Sequence, residues 1–216
     1  MPGFYDTTIV SPKNYFLFTP LLPSTTVGTL EPQALVESIR KIVKSCDGAF
    51  LCGEAIEIDP ARKLVHCVGI DGKPFDLEYD LLVVAVGAEV NTFGIKGVKE
   101  YTNQLKTVSD ARSIRKRIIK NCEIACLPTI RDDERKRLLH FVVVGGGPTG
   151  VEFAAELYDF IHEDLVKVIA PPIFSHMAVS LIQNADHILN TYDLKISNYT
   201  ENLFRREGIQ VITNAE

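Results

Sequence analysis

Apolar residues recur every three or four positions across 107–127, where Val108, Ala111, Ile114, Ile118, Cys122 and Ala125 would line one face of a helix. Thr107 and Asp110 stand three apart at its start, the spacing of a capping box. The opposite face carries Arg112, Arg115, Lys116, Arg117 and Lys120, which reads as a solvated helix surface. After a charged connector at 131–137, the pattern predicts strand 138–144, helix 148–166, strand 177–183, helix 193–207 and strand 209–213. That β-α-β-α-β order is one half of a doubly wound dinucleotide-binding sheet. Gly208 sits where glycine ends a helix.

The first half mixes shorter elements. Residues 5–10 fit the end of a strand that Ser11-Pro12 breaks. The segment 15–28 sets two prolines among large apolar residues, so it reads as a packed, irregular stretch covering an apolar surface. Leu35, Ile39, Ile42 and Val43 predict a helix from about Pro32. Strands at 49–58 and 63–68, then a third after the Asp71-Gly72 turn, read as antiparallel. The continuous apolar run from Asp80 to Ala88 predicts a parallel strand buried on both faces.

Composition adds limits. The chain has 216 residues, 46% of them apolar and 24% charged, which suits a globular protein rather than a disordered one. Its net charge of −5 argues against nucleic acid as a partner. The uncharged run 168–185 is too polar and proline-broken to span a membrane, and the N-terminus shows no signal peptide. Cysteines 46, 52, 67, 122 and 126 contain no CxxC pair, and Cys122 and Cys126 read as small buried residues in a reducing compartment. Five scattered histidines read as structural, so no metal is expected.

The chemistry concentrates in LLHFVVV-GGGPTG-VEFAAEL. Gly145, Gly147 and Gly150 form GxGxxG between a predicted strand and an amphipathic helix. Gly145 suits the tight turn, Gly147 lets a pyrophosphate approach the backbone, and Gly150 lets helix and strand lie close. Free amides and the helix dipole would face the phosphates.

This motif, with SPKNYFLFTPLLPSTTVGTLEP (11–32), YDLLVVAVGAEVNTFGIKG (79–97) and ADHILN (185–190), resembles the type II, non-proton-pumping NAD(P)H:quinone oxidoreductases. The resemblance runs over essentially the whole chain. It implies an α/β flavoprotein with two Rossmann-like domains, a partial FAD domain at 1–105 and an NAD(P)H domain at 106–216. It also implies a hydride passing from NAD(P)H to FAD and electrons passing on to ubiquinone or a related quinone. Gly145, Gly147, Pro148, Thr149 and Gly150 match the family's NAD(P)H pyrophosphate loop, and Glu152 matches a glutamate near the nicotinamide and flavin rings. Ser11 and Pro12 match the adenosine-ribose end of the FAD domain, Thr19 and Pro20 the stretch along the flavin, and Val86, Gly87 and Ala88 a strand end approaching FAD. The resemblance further implies a homodimer lying peripherally on the mitochondrial inner membrane through a C-terminal region.

Departures accompany the match. Family members begin with another strand–GxGxxG–helix and continue past the third strand of the NAD(P)H domain, so the chain reads as a fragment with little quinone reductase activity of its own. Lys96 stands where the family usually has proline. Gln183, at the end of the second strand, replaces the carboxylate that normally selects NADH, with Asp186 as an alternative source of that charge. Tolerance of NADPH is therefore expected. Two other readings are an inactive NAD(P)H-binding remnant and a pyridine-nucleotide disulfide reductase, which would need a redox-active cysteine pair; residues 11–28 and 138–216 contain no cysteine.

Overall fold

The computed structural model describes residues 5–215; the N-terminal reading at 1–4 and position 216 lie outside them. Along the chain run β1 (Thr8–Ser11), β2 (Tyr15–Leu17), a 3-10 turn at Thr19–Leu21, and α1 (Leu22–Val27). A 3-10 turn at Pro32–Leu35 leads to β3 (Val36–Ser38) and α2 (Ile39–Lys44), followed by β4 (Ala49–Asp59), β5 (Leu64–Gly69) and β6 (Pro74–Glu78). Next come α3 (Val98–Tyr101), α4 (Val108–Ala125), α5 (Asp132–Leu139), β7 (His140–Val144) and α6 (Pro148–Asp159). A π-helical turn, Phe160–Leu165, passes into α7 (Val166–Val168), then α8 (Pro171–Phe174), β8 (Ala178–Ile182), α9 (Leu194–Glu207) and β9 (Gln210–Ile212). By packing, the described residues divide into two units: residues 5–18 with 32–90, and 19–31 with 91–215. That division differs from a single boundary at 105/106.

In the first unit β1 pairs parallel with β4, and β4, β5 and β6 continue antiparallel. Gly72 closes the last hairpin at φ +78, a conformation the expected Asp-Gly turn supplies without strain. One small cluster packs Ile39, Val43 and Phe50 with Ile9 and Cys52 against them, and Leu64, Val65 and Cys67 of β5 are also buried. The helix expected from Pro32 is interrupted, because Val36–Ser38 pairs antiparallel with Tyr15–Leu17 and takes extended form. Local helical spacing yields there to a strand partner distant in sequence.

The Asp80–Ala88 run is a correction. It forms no strand and lies exposed, with Val83 84% and Val86 88% accessible. A strand needs a neighbour to take its N–H and C=O groups, and among the described residues no strand pairs with this one.

The second unit follows the predicted β-α-β-α-β order, with β7, β8 and β9 parallel in that spatial order. The capping box on α4 is present: the Thr107 N–H donates to Asp110 Oδ2 (2.8 Å) and the Asp110 N–H donates to Thr107 Oγ1 (3.2 Å). Residues Ile114, Ile118, Leu139, Val143, Leu157, Ile161, Leu181 and Phe204 belong to one continuous core. The connector at 131–137 is helical instead: three acids open α5 and Lys136 and Arg137 close it, both favoured by the helix dipole. β7 is buried on one face only, since His140, Val142 and Val144 remain exposed.

The 15–28 segment is regular rather than irregular, and only its second half is packed: Leu22, Pro23, Thr25, Thr26 and Val27 are buried, whereas Phe16, Phe18, Thr19 and Pro20 are exposed. Pro23 falls in the first turn of α1, where its missing N–H costs no hydrogen bond, and Gly28 ends the helix at φ +89. The basic face of α4 also departs from expectation at one position. Arg115 Nη1 is buried, its guanidinium lies against Gly28, and its Cζ stands 5.4 Å from the Phe160 ring centre. Of the cysteine pair, Cys122 is buried but Cys126 is exposed.

Candidate functional site

The turn between β7 and α6 carries Gly145, Gly146 and Gly147, and the first turn of α6 carries Gly150; the four do different work. Gly145 has φ +109, a backbone conformation side-chain-bearing residues rarely adopt. A Cβ on Gly150 would run into the Gly145 carbonyl oxygen, so the helix lies directly on the turn. Gly147 is different: its φ of −75° is ordinary, and a Cβ there would meet nothing within 4 Å. The space above Gly147 is open, as a ligand pressed against the backbone requires.

Gly147 is also the N-cap of α6, with no side chain capping it and no acid in the first turn. The first amides of the helix and the positive end of its dipole are left for an anion. Pro148 and Thr149, the first two helical residues, are exposed at this end. Glu152 falls beyond the first turn, exposed, so neutralising the dipole does not explain it. The residues present therefore fit a dinucleotide pyrophosphate.

Sequence reasoning passed over Gly146. A Cβ there would lie 2.8 Å from Ile188 and 3.1 Å from Gln183, and its N–H donates to Gln183 Oε1 (3.0 Å). The Gly146 carbonyl in turn accepts from the Leu189 N–H (2.7 Å). Glu201 Oε1 on α9 accepts from the Ile188 N–H (3.2 Å), so the 185–190 stretch is held beneath the glycine turn. The ADHILN motif was visible in sequence, but its role needed the fold. Gln183 sits at the end of β8 as expected, buried, with its carbonyl oxygen engaged by the loop. Asp186 is exposed and bonded to His187 Nδ1 (2.5 Å).

The expected FAD residues are more scattered in kind. Ser11 ends β1, and Pro12 joins Cys52, Gly53, Val68, Gly69 and others around a shallow cleft of about 160 Å³ in the first unit. Thr19 and Pro20 occupy the 3-10 turn that leads into α1. Val86, Gly87 and Ala88 are exposed in the irregular stretch and form no strand end, a correction that follows from the absent strand partner. Among the described residues no cluster of metal-ligating side chains occurs, and no helix is long and apolar enough to cross a membrane.

The pyridine nucleotide-disulphide oxidoreductase family model matches residues 4–216. The chain is 51% identical over 214 residues to external alternative NAD(P)H-ubiquinone oxidoreductase B2, mitochondrial, of Arabidopsis thaliana, covering 96% of this chain and 37% of that protein. It is 46% identical to external NADH-ubiquinone oxidoreductase 2, mitochondrial, of Saccharomyces cerevisiae, covering 98% of this chain and 40% of that one. The NDH2 structure from Plasmodium falciparum in complex with NADH matches with a TM-score of 0.89 at 42% identity, over 97% of this chain and 43% of that one. The chain thus spans well under half the length of these relatives.

Proposed function

Because this chain belongs to the pyridine nucleotide-disulphide oxidoreductase family, we propose that it is the nucleotide-binding part of a FAD-dependent NAD(P)H:quinone oxidoreductase. The observation that carries this reading is the open space over Gly147 at an uncapped helix start, within a chain 42–51% identical to such enzymes. When bound, NAD(P)H supplies a hydride, FAD accepts it, and a quinone takes the electrons.

The residues of this chain bind and orient. Gly147 and the first amides of α6 hold the pyrophosphate, and Gly146, locked by Gln183 and Leu189, keeps those amides aimed. Gln183 at the ribose end removes the repulsion a carboxylate would exert on a 2′-phosphate, so NADPH is accepted beside NADH. Glu152 stands on α6 toward the reacting end of the nucleotide. We assign NAD(P)H to residues 106–216 and FAD to residues within 1–105, with Ser11, Pro12, Thr19, Pro20, Val86, Gly87 and Ala88 as its contacts.

The mitochondrial relatives support a place in the mitochondrion, and family resemblance supports peripheral attachment to its inner membrane and a homodimer. The net charge leaves no support for a nucleic-acid partner. The exposed 81–90 stretch favours a second reading for these 216 residues taken alone, a module that binds NAD(P)H without turnover. A disulfide reductase finds no support in residues 11–28 and 138–216, which contain no cysteine. The test is to purify the product of the full reading frame and the 216-residue chain side by side. The full product should be yellow and reduce a ubiquinone analogue with NADH or NADPH. A colourless full product that binds NADPH and reduces nothing would leave only the second reading.

A further inference from the structure

Two hydroxyls from the 19–31 segment converge on a single carboxylate of α6. Ser24 Oγ donates to Glu156 Oε1 (2.5 Å), and Thr29 Oγ1 donates to Glu156 Oε2 (3.1 Å). Both carboxylate oxygens are used, one on either side of the Gly28 turn. The six-residue α1 cannot sustain itself by helix propensity and takes its position from packing, with Leu22, Thr25, Thr26 and Val27 buried. Apolar packing is non-directional and permits sliding. Hydrogen bonds to an ionised group are directional and about twice as strong as neutral ones, so two of them fix slide and rotation together.

Glu156 lies one helical turn after Glu152 on the same side of α6, and that helix begins at Pro148 beside Gly147. A rigid helix rising about 1.5 Å per residue therefore connects the nucleotide loop, Glu152 and the clamp on α1. α1 continues directly from Thr19–Leu21. We propose that Glu156 is a positioning residue for hydride transfer. Its carboxylate sets the stand of α1, and with it Thr19 and Pro20, relative to the helix that carries the nicotinamide nucleotide and Glu152. This rests on the proposed function, which puts Thr19 and Pro20 along the flavin. Hydride transfer is sensitive to such placement, since a misplacement of about 1 Å can cost about a hundredfold in rate.

The experiment uses the FAD-loaded full product and follows flavin bleaching by NADH in single turnover. Glu156→Ala should slow bleaching by about 10–100-fold and leave the Kd for NADH within about threefold of wild type, because the Gly147 loop is untouched. Glu156→Gln can accept from one hydroxyl and donate to the other, and should restore most of the rate. Ser24→Ala with Thr29→Ala should reproduce the Glu156→Ala defect, and decides the matter should Glu156→Ala not fold. Without any turnover, amide exchange across 22–30 should accelerate in Glu156→Ala and remain slow in Glu156→Gln. Wild-type bleaching rates in the clamp variants would overturn the proposal. So would parallel loss of rate, NADH affinity and melting temperature with no rescue by Glu156→Gln, which marks a merely structural bond. Wild-type protein whose flavin neither NADH nor NADPH reduces would instead overturn the proposed function, and the positioning role with it.

Discussion

Residues 81–87 and 141–145 carry nearly the same message in sequence, a run of apolar residues ending in glycine, yet only the second lies on a strand. His140–Val144 finds β8 beside it in parallel register, and Val143 enters the core that α6 and α9 share. Asp80–Ala88 has no such neighbour among the described residues, and its valines stay exposed. An apolar run expresses a tendency to be buried; it does not supply the hydrogen-bonding edge that turns an extended chain into a strand. The second unit gathers its buried residues into one broad continuous core, whereas in the first unit Ile39, Val43 and Phe50 form a small cluster.

The contrast can be broken most directly by charge. Val143→Asp places an unpaired carboxylate at an 8% exposed position, and the second unit should no longer unfold cooperatively. Val83→Asp, at an 84% exposed position, should leave the melting curve of the 216-residue chain essentially in place. Equal damage from both would mean that the 80–88 stretch is packed after all.

The glycine turn sharpens the comparison at the site itself. Gly150→Ala drives a Cβ into the Gly145 carbonyl and should cost about 3 kcal/mol or more of stability. Gly147→Val meets open space and should cost only about 1 kcal/mol as a poorer N-cap. It should nonetheless weaken NAD(P)H binding by about a hundredfold, nearly 3 kcal/mol. Unchanged nucleotide binding in folded Gly147→Val would remove this turn as the site.

Gln183→Glu should move the NADH/NADPH affinity ratio about tenfold toward NADH, near 1.4 kcal/mol and inside the range for a partly screened charge pair. A glutamate can still accept the Gly146 N–H, but it is a charge at an 8% exposed position, so the melting temperature is measured beside the ratio and the ratio is read only from folded protein. An unmoved ratio would pass selectivity to Asp186 or elsewhere.

The smallest effect concerns thiols. Burial, then the neighbouring Cys126 and Glu123, push the Cys122 thiol up to about 11, so very little thiolate exists at pH 8. Exposed Cys126 and Cys46 should alkylate readily in the folded chain, and Cys122 only on unfolding. Rapid labelling of Cys122 would mean the second unit opens far more easily than its core implies. Buried Cys67, whose thiol burial and then Asp76 push upward, offers the same measurement in the first unit.

By itself the sequence determined what depends on near neighbours. The capping box at Thr107 and Asp110, the Asp71-Gly72 turn, the strand–glycine–helix motif and the alternation of β7 to β9 were legible because each is a local rule of geometry and hydrogen bonding. The tertiary structure decided what depends on partners far along the chain. It turned Val36–Ser38 from helix to strand against Tyr15–Leu17, left 80–88 unpaired, drew Arg115 inward to Gly28, and set Glu156 against Ser24 and Thr29 more than 120 residues away. It also separated the glycines, since only the packed fold shows that Gly146 and Gly150 face protein while Gly147 faces open space. Periodicity reports which side of an element is apolar, but the identity of the surface that meets it is fixed only when distant segments pack.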